Sequence, residues 1–262
     1  MDKEGTITTV LQRCPFPTGS QFISWPDPHH VPELKQNDVH VWLASLGVSS
    51  IQMEILQNSL AVDELRRAKR FRFPEDKNNF IAARALLRTL LGKYLNMKPG
   101  DIRLCCGPYG KPELSVAAGM ELLRFNVSHS RGLALYAVTL EREIGIDLEF
   151  IRPDIAVDEI AGQFFSPEER SLLKTLSGDI RKKIFFKFWT RREAWLKARG
   201  TGLAGDTDAM REMNGGFSEA ALWSFKDLDI GQEYAAALAV EGRNPDVSCW
   251  QWENIPTSGP VL

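Results

Sequence analysis

Two blocks of helical spacing, each followed by short strand-like segments, limit this chain more than any other feature of its sequence. In residues 76–95, Phe80, Ala83, Leu87, Leu90, Leu91 and Tyr94 recur at three- and four-residue steps, the spacing of one helix face, until Pro99-Gly100 stops the run. Short strands are then expected at 102–106, 122–128, 133–140 and 144–150, separated by turn residues. Helices return at 155–163, 167–176 and 179–199, and strand-like segments close the chain at 221–225, 234–240 and 247–252. Ahead of the first block come an irregular, Pro- and Gly-rich arm of about 1–37, a strand around Val39, Val41 and Leu43, and helical spacing over 49–71. Helices then strands, twice over, predict an α+β fold of two halves, 1–142 and 143–262, meeting near Arg142.

Charge narrows the partners. Lys+Arg 32 against Asp+Glu 34 gives a net charge of -2, so no global attraction to nucleic acid or an anionic membrane is expected, and any anion site must come from local clusters. Cys14, Cys105, Cys106 and Cys249 lack zinc-ligand spacing and are expected as reduced thiols. The charged start Met1-Asp2-Lys3-Glu4 leads into no apolar run, and no stretch approaches the roughly 20 apolar residues of a membrane helix. A soluble, cytoplasmic protein is the expectation.

Five segments carry candidate chemistry. Along Gly145-Ile146-Asp147-Leu148-Glu149, strand alternation puts Asp147 and Glu149 on one face, about 7 Å apart, close enough to converge on a hard cation such as Mg²⁺. The same alternation also describes an ordinary strand with a solvated acidic face. On the helix through Lys183–197, Glu193 shares a face with Phe186, Trp189, Leu196 and Lys197. Desolvation there raises a carboxyl pKa unless a cation opposes it, while a plain helical Glu–Lys pair is the bland alternative. Phe125-Asn126-Val127-Ser128-His129-Ser130 runs from an apolar strand into small polar residues, the parts of a phosphate seat or merely of a capped turn. In Tyr109-Gly110-Lys111-Pro112, Gly110 permits close backbone approach beside one lysine. Arg67, Lys69, Arg70, Arg84 and Arg88 form a basic cluster that equally fits solvated helix surface.

Together and in order, RAKRF (67–71), ARALLR (83–88), YGKP (109–112), FNVSHS (125–130), GIDLE (145–149), FFSPEE (164–169) and WTRREAWLKARGTGL (189–203) resemble the Sfp-type 4′-phosphopantetheinyl transferases. The resemblance spans about 67–203. It implies a monomer of two similar α+β halves, each a small antiparallel sheet packed with a long helix, with the active-site cleft between them. Coenzyme A would be the substrate, Mg²⁺ the cofactor and an apo acyl or peptidyl carrier protein the acceptor, with release of 3′,5′-ADP. By this resemblance Asp147, Glu149 and Glu193 hold the metal, and Lys197 contacts the phosphates. Arg67, Arg84, Gly110, Lys111, Ser128 and His129 seat the nucleotide. Glu193 is the expected base for the carrier serine, with Asp147 and Lys197 completing the catalytic set. Glu169 reads as the third residue of a capping box begun by Ser166. Arg192, where the family usually has lysine, and Trp195, where it has a smaller aromatic, bear on partner preference. Two rival functions use the same residues, a non-catalytic coenzyme A-binding module and a Mg²⁺-dependent phosphodiesterase.

Overall fold

The computed structural model describes residues 25–28, 30–107, 110–115, 122–201 and 222–252. The first half contains β1 (Asp38–Ser45), α1 (Ser50–Gln57), α2 (Val62–Ala68) and α3 (Pro74–Leu95). It continues through β2 (Leu104–Cys106), β3 (Pro112–Leu114), β4 (Leu123–Ser130) and β5 (Leu133–Leu140). The second half has β6 (Ile144–Phe150), α4 (Val157–Phe164), α5 (Pro167–Thr175), α6 (Gly178–Arg199), β7 (Trp223–Leu228), β8 (Tyr234–Glu241) and β9 (Asp246–Trp252). Among the described residues no helix is long and apolar enough to cross a membrane.

The helical spacing over 49–71 resolves into two helices. Ser49 and Gln52 close a capping box at the start of α1. The Glu64 carboxylate accepts from the Ala61 N–H at 2.8 Å, so a second helix start is built only a few residues on. Both long helices stop where expected, α3 at Asn96 (φ 51°) and α6 at Gly200 (φ 68°), each in the left-handed conformation that ends a helix.

The first sheet has the order β4-β5-β1-β9 and the second β6-β8-β7, with β2 and β3 forming a separate hairpin. Among the described strands all pairs are antiparallel except β1 with β9, which run parallel from Asp38↔Asp246 to Ala44↔Trp252. Thus β9, the last of the described strands, joins the sheet of the first half. Strand alternation divides each sheet into two apolar faces. Trp42, Ala44, Ala134, Tyr136 and Val138 pack on α3, whereas Val39, Val41, Leu43, Leu133 and Leu135 meet Ile144, Ile146 and Leu148 of β6. The result is four layers, α3, sheet, sheet and α6.

Candidate active site

The site grows from the face of β6 that turns away from the inter-sheet core. With Ile144, Ile146 and Leu148 buried between the sheets, Gly145, Asp147 and Glu149 face the other way, toward α6. A Cβ on Gly145 would stand 1.9 Å from the Ala194 carbonyl oxygen and 2.4 Å from the Ala198 nitrogen. Only glycine lets the helix ride this close. Its neighbours in the seam are also small: Ala194, Ala198, Ala237 and Ala239 are all buried there.

That close approach brings the side chains of β6, β4 and α6 together. The Lys197 ammonium donates to Asp147 Oδ1 at 2.6 Å and to Ser128 Oγ at 2.9 Å. Ser128 in turn donates to Asp147 Oδ1 at 3.0 Å and accepts from the Leu148 N–H at 3.2 Å. One hydroxyl hydrogen and two lone pairs are thereby all used, so Ser128 is a saturated node. Asp147 is 3% exposed, and its Oδ2, like Glu193 Oε1, is buried without a hydrogen-bond partner among the described residues.

Electrostatics separate the carboxylates. Burial, and then the charge of Asp147, pushes the Glu193 carboxyl up to about 7, against the pull of Lys197. Glu149 is raised by the same two causes in the same order, with Lys197, Arg152 and a hydrogen bond from Ser130 opposing. Glu193 thus has the desolvated setting expected from its aromatic neighbours. Among the described residues, no group of three or more His, Cys, Asp or Glu stands ready at metal-binding distances.

On the α3 side of β4 lies a field of cations. His129 follows buried Ser128 but faces the opposite way, on the side of β4 that carries Phe125 and Val127 toward α3, and is itself exposed at the end of that row. Its pKa is lowered by desolvation, and then by the neighbouring charges of Lys197, Arg84 and Arg67. The two arginines flank one ring, Arg67 5.2 Å and Arg84 5.8 Å from the Phe80 centroid, and Arg84 also pairs with Glu64 at 3.5 Å. Arg88 corrects the expectation of solvated surface. It is buried, bonded to Glu64 at 2.7 Å and to the carbonyls of Pro99 and Ile102, and ties α3 to α2 and to the following turn.

Lys111 stands apart from the carboxylate cluster. Its ammonium donates to Glu143 at 3.2 Å and to the carbonyls of Ile144 at 3.3 Å and Ala198 at 3.1 Å, joining the β2–β3 hairpin to the start of β6 and the end of α6. Gly110 before it has φ 81°, the conformation a turn glycine supplies, while Tyr109 lies outside the described residues. Glu169 closes the capping box with Ser166 and also reaches Arg192 at 3.3 Å. Arg192 is buried and lies over Phe165 at 4.9 Å. Sequence reasoning passed over Asn126 and Ser130 as bonding groups. Small polar side chains at every second position of a strand were the signal available.

Two family models match the chain. One, described as 4′-phosphopantetheinyl transferase superfamily, covers residues 143–239, and the other, 4′-phosphopantetheinyl transferase, N-terminal, covers 48–140. The 4′-phosphopantetheinyl transferase HetI of Nostoc sp. is 38% identical over 223 residues, covering 84% of this chain and 94% of that protein. The 4′-phosphopantetheinyl transferase Sfp of Bacillus subtilis is 29% identical over 157 residues, 60% of this chain and 67% of its own. The L-aminoadipate-semialdehyde dehydrogenase-phosphopantetheinyl transferase of Mus musculus is 25% identical over 237 residues, 79% of this chain and 75% of its own.

Proposed function

The chain belongs to the 4′-phosphopantetheinyl transferase superfamily, and from that premise we propose how its residues move the phosphopantetheine arm of coenzyme A to a serine of an apo acyl or peptidyl carrier protein. The observation that carries the reading is the convergence of Asp147, Glu149, Glu193 and Lys197 across the glycine-permitted contact of β6 with α6. Two buried carboxylate oxygens without partners among the described residues, beside the Glu149 and Glu193 carboxyls that burial and the charge of Asp147 raise, fit a site for a divalent cation.

Asp147, Glu149 and Glu193 would hold Mg²⁺, which supplies, when bound, positive charge for the pyrophosphate oxygens. Lys197 donates to the same oxygens as the bond to the leaving group lengthens. The carrier serine forms the new P–O bond, the pyrophosphate P–O bond breaks, and 3′,5′-ADP departs. Glu193, set beside Asp147 at the reacting centre, receives the serine proton. Arg67 and Arg84 supply the positive field for the nucleotide phosphates, and His129, whose pKa burial and those charges lower, offers them a ring N–H. Ser128 serves by holding Lys197 and Asp147 in place. Lys111, next to Gly110, reaches the 3′-phosphate by exchanging Glu143, whose side chain is 43% exposed, for the stronger anion. The enzyme acts as a cytoplasmic monomer in this reading, with residues 1–142 and 143–262 as its two halves.

Intact mass of an apo carrier protein, after incubation with this protein, coenzyme A and Mg²⁺, tests the proposal. A gain of one phosphopantetheine, lost on adding chelator, is the expected result. Coenzyme A bound with no gain across several carriers, or cleaved with no acceptor, overturns it.

A further inference from the structure

Among the described strands, β6 pairs with β8 alone and stands at the edge of its sheet. An edge leaves every second N–H without a ladder partner, which is costly where the strand is buried, as β6 is over Ile144 to Leu148. Here three side chains of β4 take the place of a neighbouring strand. The Ile146 N–H donates to Asn126 Oδ1 at 2.9 Å, the Leu148 N–H to Ser128 Oγ at 3.2 Å, and the Phe150 N–H to Ser130 Oγ at 3.0 Å.

Residues 126, 128 and 130 project from the same face of β4, so the strand offers acceptors at every second residue, the period at which β6 offers donors. The residues between those donors are Asp147 and Glu149. Two rungs also touch these carboxylates directly, Ser128 at 3.0 Å from Asp147 and Ser130 at 3.5 Å from Glu149, the latter at the outer limit of a hydrogen bond. A slide of β6 by one residue would present the wrong edge to all three acceptors and turn both carboxylates away from α6.

We propose that Asn126, Ser128 and Ser130 form a side-chain ladder that joins the two sheets and fixes Asp147 and Glu149 in register against α6. Ser130, at the open end of the ladder, is a positioning residue for transfer. Only the activity arm of this inference rests on the transferase reading.

Ser130→Ala removes one rung at its half-buried end, and Ser130→Thr keeps the hydroxyl. Amide hydrogen exchange read residue by residue, together with carrier-transfer kinetics on wild type and both variants, decides the matter. In Ser130→Ala the Phe150 amide exchanges about tenfold faster, while the amides of Gly145, Asp147 and Glu149, which face β8, do not change. The kcat falls about fivefold with KM for coenzyme A nearly unchanged, and Ser130→Thr restores both readings. Unchanged exchange at Phe150 would overturn the ladder. Faster exchange with unchanged kcat, or a loss confined to KM, would overturn the positioning role. A wild type that transfers nothing would remove the transferase reading, while exchange at Phe150 still decides the ladder.

Discussion

The two long helices sit on their sheets in different ways. Helix α3 packs bulk against bulk: Phe80, Ile81, Leu87, Leu90 and Leu91 are buried with Trp42, Phe125 and Tyr136. Helix α6 meets β6 and β8 through Gly145, Ala194, Ala198, Ala237 and Ala239, where backbone lies almost on backbone. Bulky packing removes apolar area from water and tolerates some repacking, whereas a small-residue seam fixes distance. The proposed chemistry lies on the second contact. Helix α6 also buries Phe185, Phe186 and Trp195, so the division lies between two contacts rather than two helices, and substitutions can test it.

The largest effect is expected at the seam. Gly145→Ala must move α6 off β6, and a shift of the order of 1 Å in Glu193 and Lys197 should lower transfer by about a hundredfold or more. Normal turnover with an unshifted melting temperature would show that the seam does not set the site. Glu193→Gln on the same helix should lower kcat by about a hundredfold while coenzyme A binding, measured by calorimetry, changes little. Unchanged turnover removes Glu193 from the mechanism. On the other helix, Leu87→Ala should cost about 2–5 kcal/mol in denaturant unfolding, yet leave transfer per folded molecule nearly intact. Equal loss of both would erase the contrast.

A pH effect belongs to the α3 side as well. Tyr94 of α3 accepts from Trp42 Nε1 at 2.9 Å, so its own hydrogen is directed at His40 Nδ1, 2.7 Å away. Burial lowers His40 to about 4, with Asp38 opposing. Because the folded form holds the neutral ring, the unfolded chain binds the extra proton between pH 6.5 and about 4. Stability is therefore full above that window and falls as pH drops through it, by up to about 3 kcal/mol. Denaturant unfolding across the window should show this slope, and His40→Phe should remove it. The smallest change is expected for Lys111→Ala, which should weaken coenzyme A several-fold more than its 3′-dephospho analogue, by roughly one charged contact. Equal weakening would leave Lys111 as a brace between hairpin and helix.

The elements that were legible in the sequence are those with a local period. Phe80 to Tyr94 marked α3, the Ile146–Leu148 alternation marked β6, and the setting of Glu193 foretold its raised pKa. What local spacing could not carry were partners distant along the chain. Nothing near Val247 or Cys249 says that β9 leaves the second half to lie parallel to β1. Arg88 reads as a surface cation until Glu64 and two carbonyls surround it. The break at 58–61 was hidden because both flanking pieces keep helical spacing. FNVSHS stood out as a polar seat, and its polarity is now accounted for in part by the N–H groups of β6.

The pairing of Asp38 with Asp246 has a consequence in time. The first half cannot finish its sheet when its own residues have been made, because the strand flanking β1 is synthesised some 200 residues later. At about 5–20 residues per second, β1 waits on the order of ten to forty seconds on the ribosome with that edge unpaired. Completion of the first sheet therefore waits for β9, a non-local pairing of the kind that slows folding.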